Sequence, residues 1–161
     1  MTSDAEKVKQ FTEETGTEIP KRPQLMDKNE VNFIVKMILD ETMELLATVS
    51  DTNEAKLTMI KMICDSKDIP LSKNTDEALI AEQMDGIVDS YYYCLNACAK
   101  KGVNLSKIFD IVHESNMDKK IDGKFIKRED GKILKPPGWS ERWDGSQIVN
   151  EIKRQIKEGG F

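Results

Sequence analysis

Residues 82–101 read EQMDGIVDSYYYCLNACAKK, from Glu82 to Lys101. Asp85 and Asp89 stand one helical turn apart, and Glu82 extends the same face. Around them Leu79, Ile80, Met84, Ile87, Val88, Tyr91, Leu95 and Cys98 recur at three- to four-residue spacing. That spacing predicts a long helix, opened by Thr75 or Asp76 and ended by Gly102. Gly86 in its middle costs about 1 kcal/mol against alanine, which a close neighbour or a ligand would explain. The other long apolar-periodic stretch carries Val31, Ile34, Val35, Ile38, Leu45, Leu46 and Val49, with Asp27 or Asn29 as its cap. Met37, Leu39 and Met43 widen its apolar surface, so burial on more than one side is expected. Glu41 and Glu44 project from one face of it at i, i+3, with Asp40 beside them.

Working outward, Ser3 to Glu6 reads as a capping box for a short helix through about Thr15, with Gly16 as its stop. Pro20 and Pro23 then force an extended link. Residues 50–53 are a break, Glu54 to Asp65 a further helix, and SKDIPLSKNTD (66–76) a loop. Asn104 caps a helix with Leu105, Ile108, Phe109 and Val112 inward. Asp130-Gly131 within KFIKREDGKILKPPGW signals a two-stranded hairpin ended by Pro136-Pro137. A last helix starts at Asp144 or Ser146, with Ile148, Val149, Ile152 and Ile156 on one side. The expected fold is all-α, five to six helices with a small C-terminal β-hairpin. It is read as one domain over 1–161, with a core at 27–117, the hairpin or flap at 120–139 and the last helix at 144–158.

Composition narrows the function classes. Charged residues make up 33%, mean hydropathy is −0.52 and the net charge is −5. An acidic chain is a poor general binder of nucleic-acid polymers, which demand a basic face. A nucleotide substrate remains open, because a bound metal supplies local positive charge. Cys64, Cys94 and Cys98 form neither an even disulfide set nor a CxxC, and are expected as packed thiols. MTSDAEKVKQ has no apolar core and no apolar run reaches membrane-spanning length, so a cytoplasmic, membrane-free setting is expected.

Acids at helical spacing are commonly solvated surface. Here each pair is embedded in apolar sequence, ILDETMELL and QMDGIVDSYYY, on the helices expected to be central. Glu41, Glu44, Asp85 and Asp89, with Glu82 in reserve, offer hard oxygen ligands suited to Mg²⁺ or Mn²⁺. A zinc site lacks ligands, since His113 stands alone. A di-iron carboxylate site would need Glu-x-x-His ligands, which are missing.

These features resemble the all-α nucleoside triphosphate pyrophosphohydrolases, which include MazG-like enzymes, dimeric dUTPases and phosphoribosyl-ATP pyrophosphohydrolase. Their signature is an ExxE pair followed by an ExxD pair on a later helix. Glu41-Thr-Met-Glu44 matches the first, and Asp89 before SYYY matches the aspartate of the second. The glutamate expected three residues before Asp89 is Gly86. Either Asp85 substitutes for it, or Glu82-Gln-Met-Asp85 is the ExxD and Asp89 an extra acid. Val112-His113-Glu114-Ser115-Asn116-Met117-Asp118-Lys119, then Asp122-Gly123-Lys124 and Arg128 to Pro137, resemble the phosphoribosyl-ATP pyrophosphohydrolase-like subgroup more closely. The likeness spans most of residues 6–139; 50–78 looks like an enlarged connection and 140–161 is not covered.

The resemblance implies attack of a metal-activated water on an NTP or dNTP, giving NMP and pyrophosphate, possible house-cleaning of a nucleotide pool, and a homodimer or homotetramer. Glu41, Glu44, Asp85 and Asp89 are the expected metal ligands, with Glu82 or Asp40 as base or supporting acid. Asn116, Lys119, Lys120, Arg128 and Lys132 are candidate phosphate or sugar contacts, and Tyr93, one turn beyond Asp89, could stack on a base. Trp139 would cover the site or an interface, and His113 is expected to be structural. The competing reading is a non-catalytic helical interaction protein that lost its metal with the glutamate absent at Gly86.

Overall fold

Local capping decides where the helices begin. In the computed structural model, which describes residues 3–161, Ser3 accepts from the Glu6 N–H while Glu6 reaches back to the Ser3 N–H, opening α1 (Asp4–Glu14). Asp27 and Glu30 form the same box ahead of α2 (Lys28–Leu46), and Asp51 caps α3 (Thr52–Cys64). Next come α4 (Asp76–Ala99) and α5 (Leu105–Met117), the latter capped by Asn104. A single turn, α6 (Trp139–Arg142), and α7 (Ser146–Glu158) complete the order, both entered through left-handed glycines, Gly138 and Gly145. The all-α expectation holds. No helix among the described residues is long and apolar enough to cross a membrane.

The expected C-terminal β-hairpin is corrected. The turn forms at Asp130-Gly131, but its flanks are joined only by one isolated bridge, Lys127 with Ile133; a second, Ile121 with Lys124, closes the separate turn at Asp122-Gly123. Arg128 N–H donates to the Lys132 carbonyl and Leu134 N–H to that of Ile126, and no ladder extends beyond them. Ile126 and Leu134 remain exposed, so no packed face holds the two arms as strands. The four-residue α6 was not anticipated from the sequence.

The chain divides into two compact units, one of residues up to Lys21 with Ile87–Phe161, the other Arg22–Gly86. In the second, α2 packs on α3 and Ala55 is fully buried. The Gln83 amide donates to the Met26 carbonyl at 2.9 Å and accepts its N–H at 3.0 Å, tying the first turns of α4 to the segment before α2. In the first, α5 packs against α1 and α7. Phe11 meets Phe125 edge to face at 5.1 Å, and Lys7 pairs with Asp110 across α1 and α5.

The C-terminal helix fastens the turn between α4 and α5. The buried Gln155 side chain donates to the Asn104 carbonyl and accepts the Asn104 N–H, each at 2.9 Å, replacing a missing backbone partner on both sides. A Cβ on Gly160 would fall 2.1 Å from the Gly102 carbonyl oxygen, so this approach of two backbones requires glycine.

Burial departs from expectation. Among the described residues, only Ala55 and Trp139 are buried hydrophobics. Phe33, Ile34, Val35 and Ile38 on α2, Leu57 and Ile60 on α3, and Met84, Ile87, Val88 and Tyr91 on α4 are exposed, as are Cys64 and Cys94. The periodicity forms the helices, yet neither unit on its own covers their apolar faces.

Candidate functional site

The acids sit where the helical spacing puts them. Glu41 and Glu44 project from α2, and Glu82 and Asp85 from the first half of α4, all four exposed and within Arg22–Gly86. Asp89 and Tyr93 lie on the later half of α4, in the other unit, and are also exposed. The side-chain carboxylates of Glu41, Glu44, Asp85 and Asp89 make no hydrogen bond or ion pair with any described residue, which leaves their oxygens available. Glu82 is committed to the Asn74 amide and Asp40 pairs with Lys36 along α2. Neither unit on its own gathers three Asp, Glu, His or Cys side chains into a metal-sized group among the described residues. The donor chemistry nevertheless fits a hard divalent cation: exposed, unpartnered carboxylates, with no thiolate or imidazole among them. Gly86 is not demanded by packing, since a Cβ there would meet nothing within 4 Å.

The expected phosphate contacts have individual fates. Lys120 pairs with Glu14 and lies over the Phe125 ring, and Arg128 pairs with Asp130 at 2.9 Å within its own turn. Lys132 contributes its backbone carbonyl to the turn. Asn116 and Lys119 come together at the end of α5, the Lys119 ammonium donating to Asn116 Oδ1 at 2.6 Å. His113 is half-buried on the same helix.

A tryptophan cluster around the end of α5 was missed as such. Trp139 is 9% exposed and donates its indole N–H to the Ser115 carbonyl at 2.9 Å, so it is held inside its unit instead of standing as a free cover. Lys135 and Lys119 both lie against its ring. Asp118 accepts from the Trp143 indole at 2.8 Å and from Arg142 at 2.8 and 3.1 Å. The only signal in the sequence was a tryptophan placed after Pro-Pro-Gly.

Trp143 first, then Arg142, hold the Asp118 carboxyl below the usual carboxylate range. A depressed folded-state pKa contributes stability that is present above the unfolded value, about 4, and lost as pH falls through the folded value. Asp118→Asn should therefore lower stability at neutral pH and flatten the acid side of the stability profile. Solvent screening of this partly exposed group holds the effect to about 1 kcal/mol. Urea unfolding midpoints between neutrality and strong acid check this; an unchanged profile in the variant would remove Asp118 from the account.

An all-helical chain with exposed acid pairs on two helices defines a class, and comparison with known proteins places it. The phosphoribosyl-ATP pyrophosphohydrolase family model matches residues 8–116, and the chain belongs to that family. A crystal structure of a candidate NTP pyrophosphohydrolase from Exiguobacterium sp. 255-15 shares the fold, with a TM-score of 0.68 and 23% identity. The match covers 95% of this chain and 98% of that one. Among curated proteins, none matches in sequence.

Proposed function

We propose that the protein is a Mg²⁺-dependent nucleoside triphosphate pyrophosphohydrolase, cleaving an NTP or dNTP to NMP and pyrophosphate. The observation that carries this is the pair Glu41 and Glu44, exposed on α2 within the family-matched residues, with their oxygens uncommitted. Glu41, Glu44, Asp85 and Asp89 would hold the cation, which when bound neutralises phosphate charge and lowers the pKa of water. Asp40, and Glu82 once released from Asn74, would accept a proton or orient a neighbouring carboxylate. Asn116 and Lys119 present an amide and an ammonium to phosphate oxygens, and the exposed Tyr93 ring can stack on a base.

The uncovered faces of α2, α3 and α4 support assembly as a homodimer or homotetramer, because apolar surface of this extent is normally buried by a partner. The rival reading, a helical interaction module without a metal site, predicts no pyrophosphate release. A screen of NTPs, dNTPs and damaged nucleotides with Mg²⁺, assayed for pyrophosphate and paired with calorimetric Mg²⁺ titration, decides between them. Release from at least one nucleotide is expected; silence across the screen together with no Mg²⁺ binding would favour the interaction module.

A further inference from the structure

One side chain of the connection between α3 and α4 reaches an acid of the candidate site. Residues 67–75 form no helix or strand, and Ile69 and Leu71 are almost wholly exposed, so apolar packing does not hold the segment in place. Among the described residues, 67–74 make a single hydrogen bond, from the Asn74 side-chain amide to Glu82 Oε1. Both partners belong to the Arg22–Gly86 unit. Asn74 precedes α4 and Glu82 stands on its second turn. A helical side chain tilts toward the N-terminus, which lets the two meet. The bond draws the Glu82 carboxylate toward the start of α4, while Asp85 lies one turn the other way. The helix does not depend on this bond. The Thr75 carbonyl already accepts the Leu79 N–H, and Gln83 fastens α4 to Met26. Breaking it would free residues 67–74 and leave α4 closed.

We propose that Asn74 is a latch, competing with a divalent cation for the Glu82 carboxylate. With the amide bound, the 67–74 segment is tied to α4; when Glu82 turns to a cation shared with Asp85, the segment is released. A neutral amide offers a carboxylate a dipole, whereas a divalent cation offers full charge and a preference for hard oxygen. To join Asp85 around one ion, the Glu82 side chain must swing away from the start of the helix, which breaks the bond to Asn74. Asn74 is thus a positioning residue that acts through Glu82, and it couples the connection between α3 and α4 to the state of the site. The coupling is reciprocal. By whatever factor the cation favours the released segment, loss of the latch strengthens cation binding. The inference deepens the pyrophosphohydrolase reading and rests on it for the cation.

The test uses the full chain, trypsin and Mg²⁺ alone. Cleavage after Lys73 is followed by mass spectrometry, relative to cleavage after Lys21 in the link ahead of α2, in MgCl₂ and in NaCl of equal ionic strength. Cleavage of a briefly opened segment tracks the population of the open form. Saturating Mg²⁺ should speed cleavage after Lys73 by about fivefold or more. Asn74→Ala should be cleaved fast without Mg²⁺ and should bind Mg²⁺ tighter, by the same factor, in calorimetry. Glu82→Gln keeps a carbonyl to accept the Asn74 amide but loses the anion, so its slow cleavage should not respond to Mg²⁺. A wild-type chain that binds Mg²⁺ and releases pyrophosphate, yet is cleaved after Lys73 equally fast with and without Mg²⁺, overturns the latch and leaves the hydrolase standing. An Asn74→Ala chain that binds Mg²⁺ no tighter than wild type does the same. If neither chain binds Mg²⁺ and no nucleotide yields pyrophosphate, the hydrolase and the latch fall together.

Discussion

Glu44→Gln is expected to abolish pyrophosphate release while leaving the helix content of the protein unchanged. Glu44 is exposed on α2 and has no hydrogen-bond or ion-pair partner among the described residues, so its charge contributes nothing visible to the fold. Glutamine keeps the shape and helix propensity of glutamate and removes one anionic ligand. A site that stabilises a highly charged transition state should then lose at least about a hundredfold in kcat, and more if the cation leaves altogether. Circular dichroism separates this from unfolding. Activity retained at wild-type level in a folded Glu44→Gln chain would remove Glu44 from the metal site.

Trp139→Ala should be the most destabilising single change. The indole is almost wholly enclosed and its N–H holds the Ser115 carbonyl near the end of α5. Truncation removes a large buried ring and strands that carbonyl, a loss of about 3–5 kcal/mol. For a chain of this size the melting temperature should fall by roughly 10 °C. Trp139→Phe, which keeps most of the volume but not the N–H, should fall between the two. A melting curve for Trp139→Ala that overlays wild type would show that the ring does not anchor the end of α5.

Much of the fold was legible because it is local. Ser3 with Glu6, Asp27 with Glu30 and Asn104 each satisfy helix ends within a few residues, and that chemistry is written in adjacent letters. The hairpin failed for the complementary reason. Asp130-Gly131 does encode its turn, but strands require a packed face, and Ile126 and Leu134 on the two arms stay exposed. α6 is a single turn launched by left-handed Gly138, too short for any periodicity to reveal. The spacing of Ile34, Ile38, Ile87 and Tyr91 showed which side of each helix is apolar and was silent on what covers it. At the candidate site, the types and spacing of the acids were readable. That Asp40 is engaged by Lys36 and Glu82 by Asn74 depends on side-chain reach, which spacing does not report. Trp139 was visible as a residue, but its bond to the Ser115 carbonyl joins positions far apart in sequence.

The bond between Gln155 and Asn104 makes one amide proton a clock for the C-terminal helix. The Asn104 N–H is held by a side chain 51 positions later, so it meets water only when α7 lifts away. Its hydrogen-exchange rate therefore reports the free energy of that detachment, separately from global unfolding.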